Sequence, residues 1–272
     1  MEINKIYQGD CLELMKQIDN NSIDLVITSP PYDNLREYKG YTFNFEGIAK
    51  ELFRIIKEGG VVVWIIGDAT INGSETGTSF KQALYFKEIG FNLHDTMIWE
   101  KDTFSFPDKV RYRSVFEYMF IFTKGRLKVF NPIEDKINKY AGCKVHGTSR
   151  GKDGITFKKS NCGTITKEKG VRFNVWKQPN EKNNIFNHPA PFPEKLVEDH
   201  IKSWSNEEDL VLDIMCGSGT TCKMALKNNR RFIGFEISEE YCKMANERLT
   251  KLNTTDGIPS KPKDLGILPT II

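Results

Sequence analysis

Near the end of the chain, Leu212-Asp213-Ile214-Met215-Cys216-Gly217-Ser218-Gly219-Thr220-Thr221 joins an apolar, strand-like run to a helical one, and Glu236 follows nineteen residues after Gly217. No other segment restricts the fold so strongly. Glycines at 217 and 219 permit a sharp strand-to-helix turn and remove side chains that would obstruct a ligand lying over the first helical amides. An acid at the tip of the following strand can accept hydrogen bonds from both hydroxyls of a ribose. The segment therefore predicts a βαβ unit of a parallel sheet, with a nucleoside-type ligand at the carboxyl edge.

Two ligand classes share that ribose acid. A nicotinamide dinucleotide requires a third glycine at position 222, where helix and strand pack closely under a pyrophosphate, and this chain has Cys222. Asp213 beside the ligand suits a cationic amino-acid moiety better than a diphosphate. An S-adenosyl cofactor, which has a ribose, an amino group and a sulfonium but no phosphate, fits the loop better. A tight turn that binds nothing is the remaining alternative.

The rest of the chain alternates strands and helices around this unit. Ile23 to Thr28 and Val61 to Ile66 read as buried strands, as do Leu93 to Trp99 and the aromatic run Val115 to Thr123. Helical spacing covers Phe45 to Lys57, with a glycine stop at Glu58-Gly59-Gly60, and Ser79 to Ile89 before Gly90. After the segment from about 131 to 184, order returns with a helix over Glu194 to Trp204, a strand over Leu210 to Ile214 and a helix over Thr220 to Lys227. A strand over Phe232 to Ile237 and a helix over Glu239 to Leu252 complete the pattern. The expectation is an α/β fold with an open, mostly parallel, doubly wound sheet. Residues 1–130 and 185–252 form its two halves, 131–184 a loop-rich insertion, and 253–272 a tail.

Charge separates along the same boundaries. From Lys136 to Lys182 there are twelve Lys and Arg against three acids, a local balance of +9, which leaves −6 for the remainder of a chain with net charge +3. Such a block suits a polyanion, although a solvated lysine-rich loop would look the same. Val61 to Ile66 is the longest apolar run, far short of the ~20 residues that cross a bilayer. The first residues lack the basic and apolar regions of a secretion signal, so a cytoplasmic protein without membrane contact is expected. The cysteines at 11, 143, 162, 216, 222 and 242 form no Cys-x-x-Cys pair, and ordinary thiols without a metal site are the expectation.

A second segment, Thr28-Ser29-Pro30-Pro31-Tyr32, follows the Ile23–Thr28 strand directly. Consecutive prolines fix the backbone and cannot continue a central strand, so a rigid turn lies at the carboxyl edge of the sheet. It holds a hydroxyl, a carbonyl and an aromatic face together. Tyr32 can stack on a planar heterocycle while Ser29 and the Pro30 carbonyl accept hydrogen bonds from its amino group.

Together these segments resemble the amino-methyltransferases of DNA, and their order resembles the β class, in which the catalytic motif comes first and the cofactor motif last. Gly9-Asp10, placed before the first strand, is similar to the family's motif near the cofactor adenine. Glu117-Tyr118 is similar to part of its target-base pocket. His188-Pro189-Ala190-Pro191-Phe192-Pro193 is similar to the segment that closes over the methionine moiety. The resemblance covers about residues 6–130 and 185–250. It implies a circularly permuted sheet with S-adenosyl-L-methionine as cofactor, bound by Asp10, Asp213, Cys216, Gly217, Ser218, Gly219, Thr220, Thr221, Glu236, Pro191 and Phe192. Ser29, Pro30, Pro31 and Tyr32 would be catalytic. Double-stranded DNA would be the partner, contacted by Arg111, Arg113, Glu117, Tyr118, Arg150 and Arg172. Such enzymes occur with or without a cognate restriction endonuclease, as monomers or homodimers, and their direct displacement needs no metal.

The resemblance also bears on the acceptor. Ser before Pro-Pro and the Pro-Ala-Pro-Phe-Pro run lean toward cytosine N4, with adenine N6 as the alternative. Cytosine C5 chemistry needs a Pro-Cys nucleophile, and no cysteine here follows a proline. Relatives acting on RNA or protein glutamine usually have Asn first and the cofactor motif upstream. An inactive DNA-binding relative would not keep both motifs complete.

Overall fold

The computed structural model describes residues 1–31, 43–103, 109–179 and 193–255. The N-terminal part contains β1 (Lys5–Gln8), α1 (Cys11–Met15), β2 (Ile23–Thr28), α2 (Phe45–Ile55), β3 (Ile56–Ile66), the hairpin β4 (Thr70–Ile71) and β5 (Ser74–Glu75), α3 (Thr78–Glu88), β6 (Phe91–Glu100) and β7 (Phe116–Lys124). Short strands follow: β8 (Lys136–Ile137), β9 (Thr148–Arg150), β10 (Thr156–Lys158), β11 (Lys169–Gly170) and β12 (Val175–Lys177). The chain then returns to α/β alternation with α4 (Glu194–Trp204), β13 (Leu210–Asp213), α5 (Thr220–Lys227), β14 (Arg231–Glu236) and α6 (Glu239–Thr255).

Among the described residues, eight strands form one sheet in the order β1-β14-β13-β2-β3-β7-β6-β12. Within it β7 runs against its neighbours β3 and β6, and all the other pairings are parallel. The two ends of the chain therefore interleave: β13 lies beside β2, and β1 beside β14.

The central strands read as continuous apolar runs because both faces are covered. In β3, Val61, Val63 and Ile65 point to the layer formed with α4, α5 and α6, where Leu196, Ile201, Ala225 and Ala245 lie. Val62, Trp64 and Ile66 point to the opposite layer, against Leu52 and Ile55 of α2 and Phe86 of α3. The indole N–H of buried Trp64 donates to Gln82 Oε1 at 2.8 Å, so its one polar atom is satisfied inside that layer.

Several boundaries depart from the sequence reading. β1 precedes Gly9-Asp10, so that pair leaves the first strand instead of leading into it. Helix α2 stops at Ile55, and Glu58-Gly59-Gly60 lies inside β3, where the ladder with β2 jumps from Ile23↔Ile56 to Leu25↔Val61. The irregularity requires glycine: Gly59 has φ +81°, and a Cβ on Gly60 would sit 2.9 Å from the Asp24 carbonyl.

Short paired strands run through the insertion. Pairings Lys136↔Gly170, Ile137↔Lys169, Lys144↔Ile165, Thr148↔Lys158 and Arg150↔Thr156 describe one long antiparallel ribbon whose tip lies at residues 151–155. Beyond it, β12 leaves the insertion and joins the main sheet beside β6.

Candidate active site

β13 and β2 are adjacent and parallel, but the chain leaves them in opposite directions, from β2 to β3 and from β13 to β14. A crevice opens between loops that diverge in this way, and open α/β sheets bind ligands at such switch points. The two loops here are the two segments singled out from the sequence.

Asp213 ends β13 with its carboxylate buried, and Oδ1 accepts from the Met215 amide at 3.1 Å. Burial pushes its pKa up to about 6, a rise partly opposed by the nearby Thr221 and Thr28 hydroxyls and the Met215 amide. Those hydroxyls lie close enough to favour the carboxylate electrostatically, yet neither Thr28 Oγ1 nor Thr221 Oγ1 closes a hydrogen bond of ordinary geometry. Both hydroxyls are buried and directed at the acid.

Glu236 ends β14. Its Oε2 accepts from the Gly217 amide and its Oε1 from the Ser238 amide, both at 2.8 Å. The acid thus fixes the glycine loop, and each oxygen keeps a lone pair for a further donor. Burial raises its pKa as well. Gly9 donates its amide to the Glu236 carbonyl at 2.9 Å, and Asp10 Oδ1 caps α1 by accepting from the Leu12 and Glu13 amides at 2.9 and 3.1 Å. Asp10 is therefore an N-cap held next to the Glu236 end of the crevice.

Gly217 and Gly219 both have positive φ. Gly219 is doubly constrained, because a Cβ there would lie 2.9 Å from Ala245 Cβ on α6. Close helix packing, the role of the absent third glycine, thus falls on Gly219. Cys222 and Cys216 instead bury their sulfurs over Gly234, where a Cβ would meet them at 2.6 and 3.2 Å. The Cys216 side chain packs into the core. Ser218 and Thr220 are held by Arg248, whose Nη1 donates to Ser218 Oγ at 3.3 Å and Thr220 Oγ1 at 3.0 Å, while Nη2 donates to Glu194. Thr221 lies at the buried mouth beside Asp213.

Ser29, Pro30 and Pro31 follow β2 directly, with Pro30 buried and Ser29 and Pro31 partly exposed. Tyr32, Pro191 and Phe192 lie outside the described residues. On the same edge, Glu117 of β7 is ion-paired with Lys101, whose ammonium lies 4.8 Å from the centre of the Trp99 ring. Tyr118 stacks on Phe120 and meets Phe80 and Phe116 edge-on. Arg111 donates to the Gly73 carbonyl at the β4–β5 turn, Arg113 is exposed, and Arg150 lies at the ribbon tip, donating to the Gly154 carbonyl at 3.0 Å. Arg172 differs. It pairs with Asp135 and, at 2.7 Å, with buried Asp199 of α4, so it anchors the base of the ribbon and is not presented to a phosphate.

Residues 23–247 match the model of the N6/N4 methyltransferase family, described as DNA methylase. The chain belongs to that DNA methylase family. The orphan methyltransferase M.BamHII of Bacillus amyloliquefaciens is 59% identical over 246 residues, which cover 87% of this chain and 92% of that protein. The Type II methyltransferase M.BglII of Bacillus subtilis is 30% identical over 259 residues, covering 91% and 69%. Among solved structures, the PvuII DNA methyltransferase (cytosine-N4-specific) superposes with a TM-score of 0.65 at 24% identity, covering 91% of this chain and 90% of that one. A DNA modification methylase of Thermus thermophilus, solved in complex with S-adenosyl-L-methionine, gives 0.64 at 22% identity, covering 91% and 93%.

Two parts of this methylase's site were not visible in its sequence. Arg248 and Glu194 lie far from either motif, and only the packing of α4, α5 and α6 brings them under the glycine loop. Thr28 is visible as the end of a strand, but its unsatisfied hydroxyl is a tertiary property.

Proposed function

We propose that this chain transfers a methyl group from S-adenosyl-L-methionine to the exocyclic amine of a base flipped out of duplex DNA, with cytosine N4 as the favoured acceptor. One observation carries the reading. The Ser29–Pro31 turn and the Asp213 loop leave adjacent strands at the switch point, with a buried acid and two buried hydroxyls between them. The residues suit the cofactor: Asp213 offers a carboxylate to its ammonium, and Glu236 has acceptor capacity left for ribose hydroxyls. Bound there, S-adenosyl-L-methionine would supply an electrophilic methyl group carried on a sulfonium.

The chain's own residues would orient the acceptor. Ser29 Oγ and the Pro30 carbonyl accept hydrogen bonds from the amine, which draws its lone pair out of conjugation and aims it at the methyl group. Tyr32 is assigned to stacking on the base, and Pro191 and Phe192 to covering the cofactor. Extrusion of the base costs a few kcal/mol, to be met by phosphate contacts along the basic ribbon and by Arg113. A two-stranded ribbon also fits the major groove. The serine at position 29 supports cytosine. The orphan status of the M.BamHII relative supports a methylase acting without a dedicated endonuclease.

The test is incubation with duplex DNA and methyl-labelled cofactor, followed by digestion and identification of the labelled nucleoside. N4-methylcytosine is expected. N6-methyladenine would move the acceptor to adenine, and failure to label DNA while cofactor still binds would remove the reading.

A further inference from the structure

Between β6 and β7 the chain carries Lys109-Val110-Arg111-Tyr112-Arg113, three cations interleaved with two large apolar side chains and no acid. All five are exposed, with Tyr112 at 104% and Val110 at 85% of full accessibility. Aromatic rings bury most of their surface in folded proteins, and a tyrosine held entirely in water between two arginines is ready for a partner that is both planar and anionic.

Its position selects the partner. β6 runs parallel to β2 and β3, so the chain leaves β6 and enters β7 on the carboxyl edge of the sheet, the edge that holds the Ser29 turn. The β4–β5 hairpin leaves β3 on that edge, and its own mount is firm. The Asp68 carboxylate accepts from the Ser79 amide at 2.9 Å and the Thr76 hydroxyl at 3.2 Å. Arg111 donates to the Gly73 carbonyl at the hairpin turn and lies 4.0 Å from Glu75, which ties the Tyr112 segment to this mount. The ring is thereby presented on the edge that holds the Ser29 turn, where the proposed reaction needs the flipped base to enter.

We propose that Tyr112 enters the duplex and stacks in the gap that the extruded base leaves, with Lys109 and Arg113 against the flanking phosphates. This rests on the base-flipping reading above and adds to it the residue that keeps the gap filled. Large side chains inserted between base steps are a known means of stabilising distorted duplexes. The occupant is duplex DNA, chosen by the basic, acid-free character of the segment and the shared edge.

The experiment uses the full chain and a duplex containing its methylation site, found by mapping modified positions in treated genomic DNA. Methyl transfer is measured on the fully paired duplex and on the same duplex with the target base mispaired, which lowers the work of extrusion. For Tyr112→Ala, the rate on paired DNA should fall roughly 5- to 100-fold, the range expected for loss of one base–aromatic stack. On the mispaired duplex the fall should shrink to less than about threefold, because little unstacking remains to be offset. Tyr112→Trp should keep most activity on both, and calorimetric S-adenosyl-L-methionine binding should be unchanged in both variants. Equal loss on paired and mispaired DNA, or no loss on either, overturns the proposal and leaves Tyr112 to a protein partner or a second copy of the chain. No transfer by the unaltered protein overturns the base-flipping reading together with this one, and so separates the two failures.

Discussion

Asp213 combines burial with a carboxylate pushed up to about 6, and this fixes its behaviour with pH. A carboxyl whose folded pKa lies above its unfolded value favours the folded state at low pH, and that contribution is lost as pH rises through the folded pKa. Between about pH 4 and 6 the cofactor-free protein should therefore lose stability on account of this group. Asp213→Asn should be more stable than the parent above pH 6, by on the order of 2 kcal/mol in urea unfolding, and equal to it near pH 4. Cofactor binding has the opposite dependence, since a cationic ligand needs the carboxylate. Affinity by calorimetry should be roughly tenfold weaker at pH 5 than at pH 7.5, and a flat profile would mean that Asp213 does not face the cation. The roles also divide between loops. Ser29→Ala should lower turnover much more than cofactor affinity, and Asp213→Ala should do the reverse; equal cofactor loss in both would contradict the division. The residue types and spacing of both loops were legible in the sequence, whereas the unpartnered Thr28 and Thr221 hydroxyls were not, because satisfaction of a hydroxyl depends on everything packed around it.

Helix α4 shows how the insertion is fastened. Asp199, almost fully buried, faces Arg172 Nη1 at 2.7 Å and also pairs with Lys195. Asp199→Ala leaves the partly buried guanidinium without its inner partner and should lower the unfolding free energy by about 3 kcal/mol in urea. Lys195→Ala removes a half-exposed member of the same group and should cost less than about 1 kcal/mol. The ends of α4 and α5 match the sequence pattern because an amphipathic period and local turn signals determine them. The start of β3 did not, since Ile56 enters the strand by pairing with Ile23 of a distant segment, and local glycines gave a false stop. β12 was missed for a related reason. Three residues carry no period, and only its pairing with β6 makes them a strand. The ribbon strands are mostly exposed on both faces, so no apolar alternation marks them.

The whole molecule is electrically divided, with +9 between residues 136 and 182 and −6 elsewhere. Lys152, Lys158 and Lys159 are exposed on the ribbon near its tip. If they neutralise phosphates, changing all three to Gln should flatten the plot of log affinity against log salt by roughly 2 to 3, measured by fluorescence anisotropy on duplex DNA. An unchanged slope would place the DNA away from the ribbon. Arg172 belongs to that same basic block, yet it is spent on Asp135 and Asp199, which charge counting along a chain does not reveal. The sequence by itself determined the two loops, their order and the parallel α/β class, since glycine turns, proline turns and apolar periods are local properties. Tertiary structure alone decided that the loops meet between β13 and β2, that Gly219 rather than residue 222 takes the close helix contact, and that Arg248 and Glu194 lie beneath the glycine loop. Those are contacts between segments far apart in the chain, set by strand pairing and by packing on two faces at once, and no local pattern encodes them.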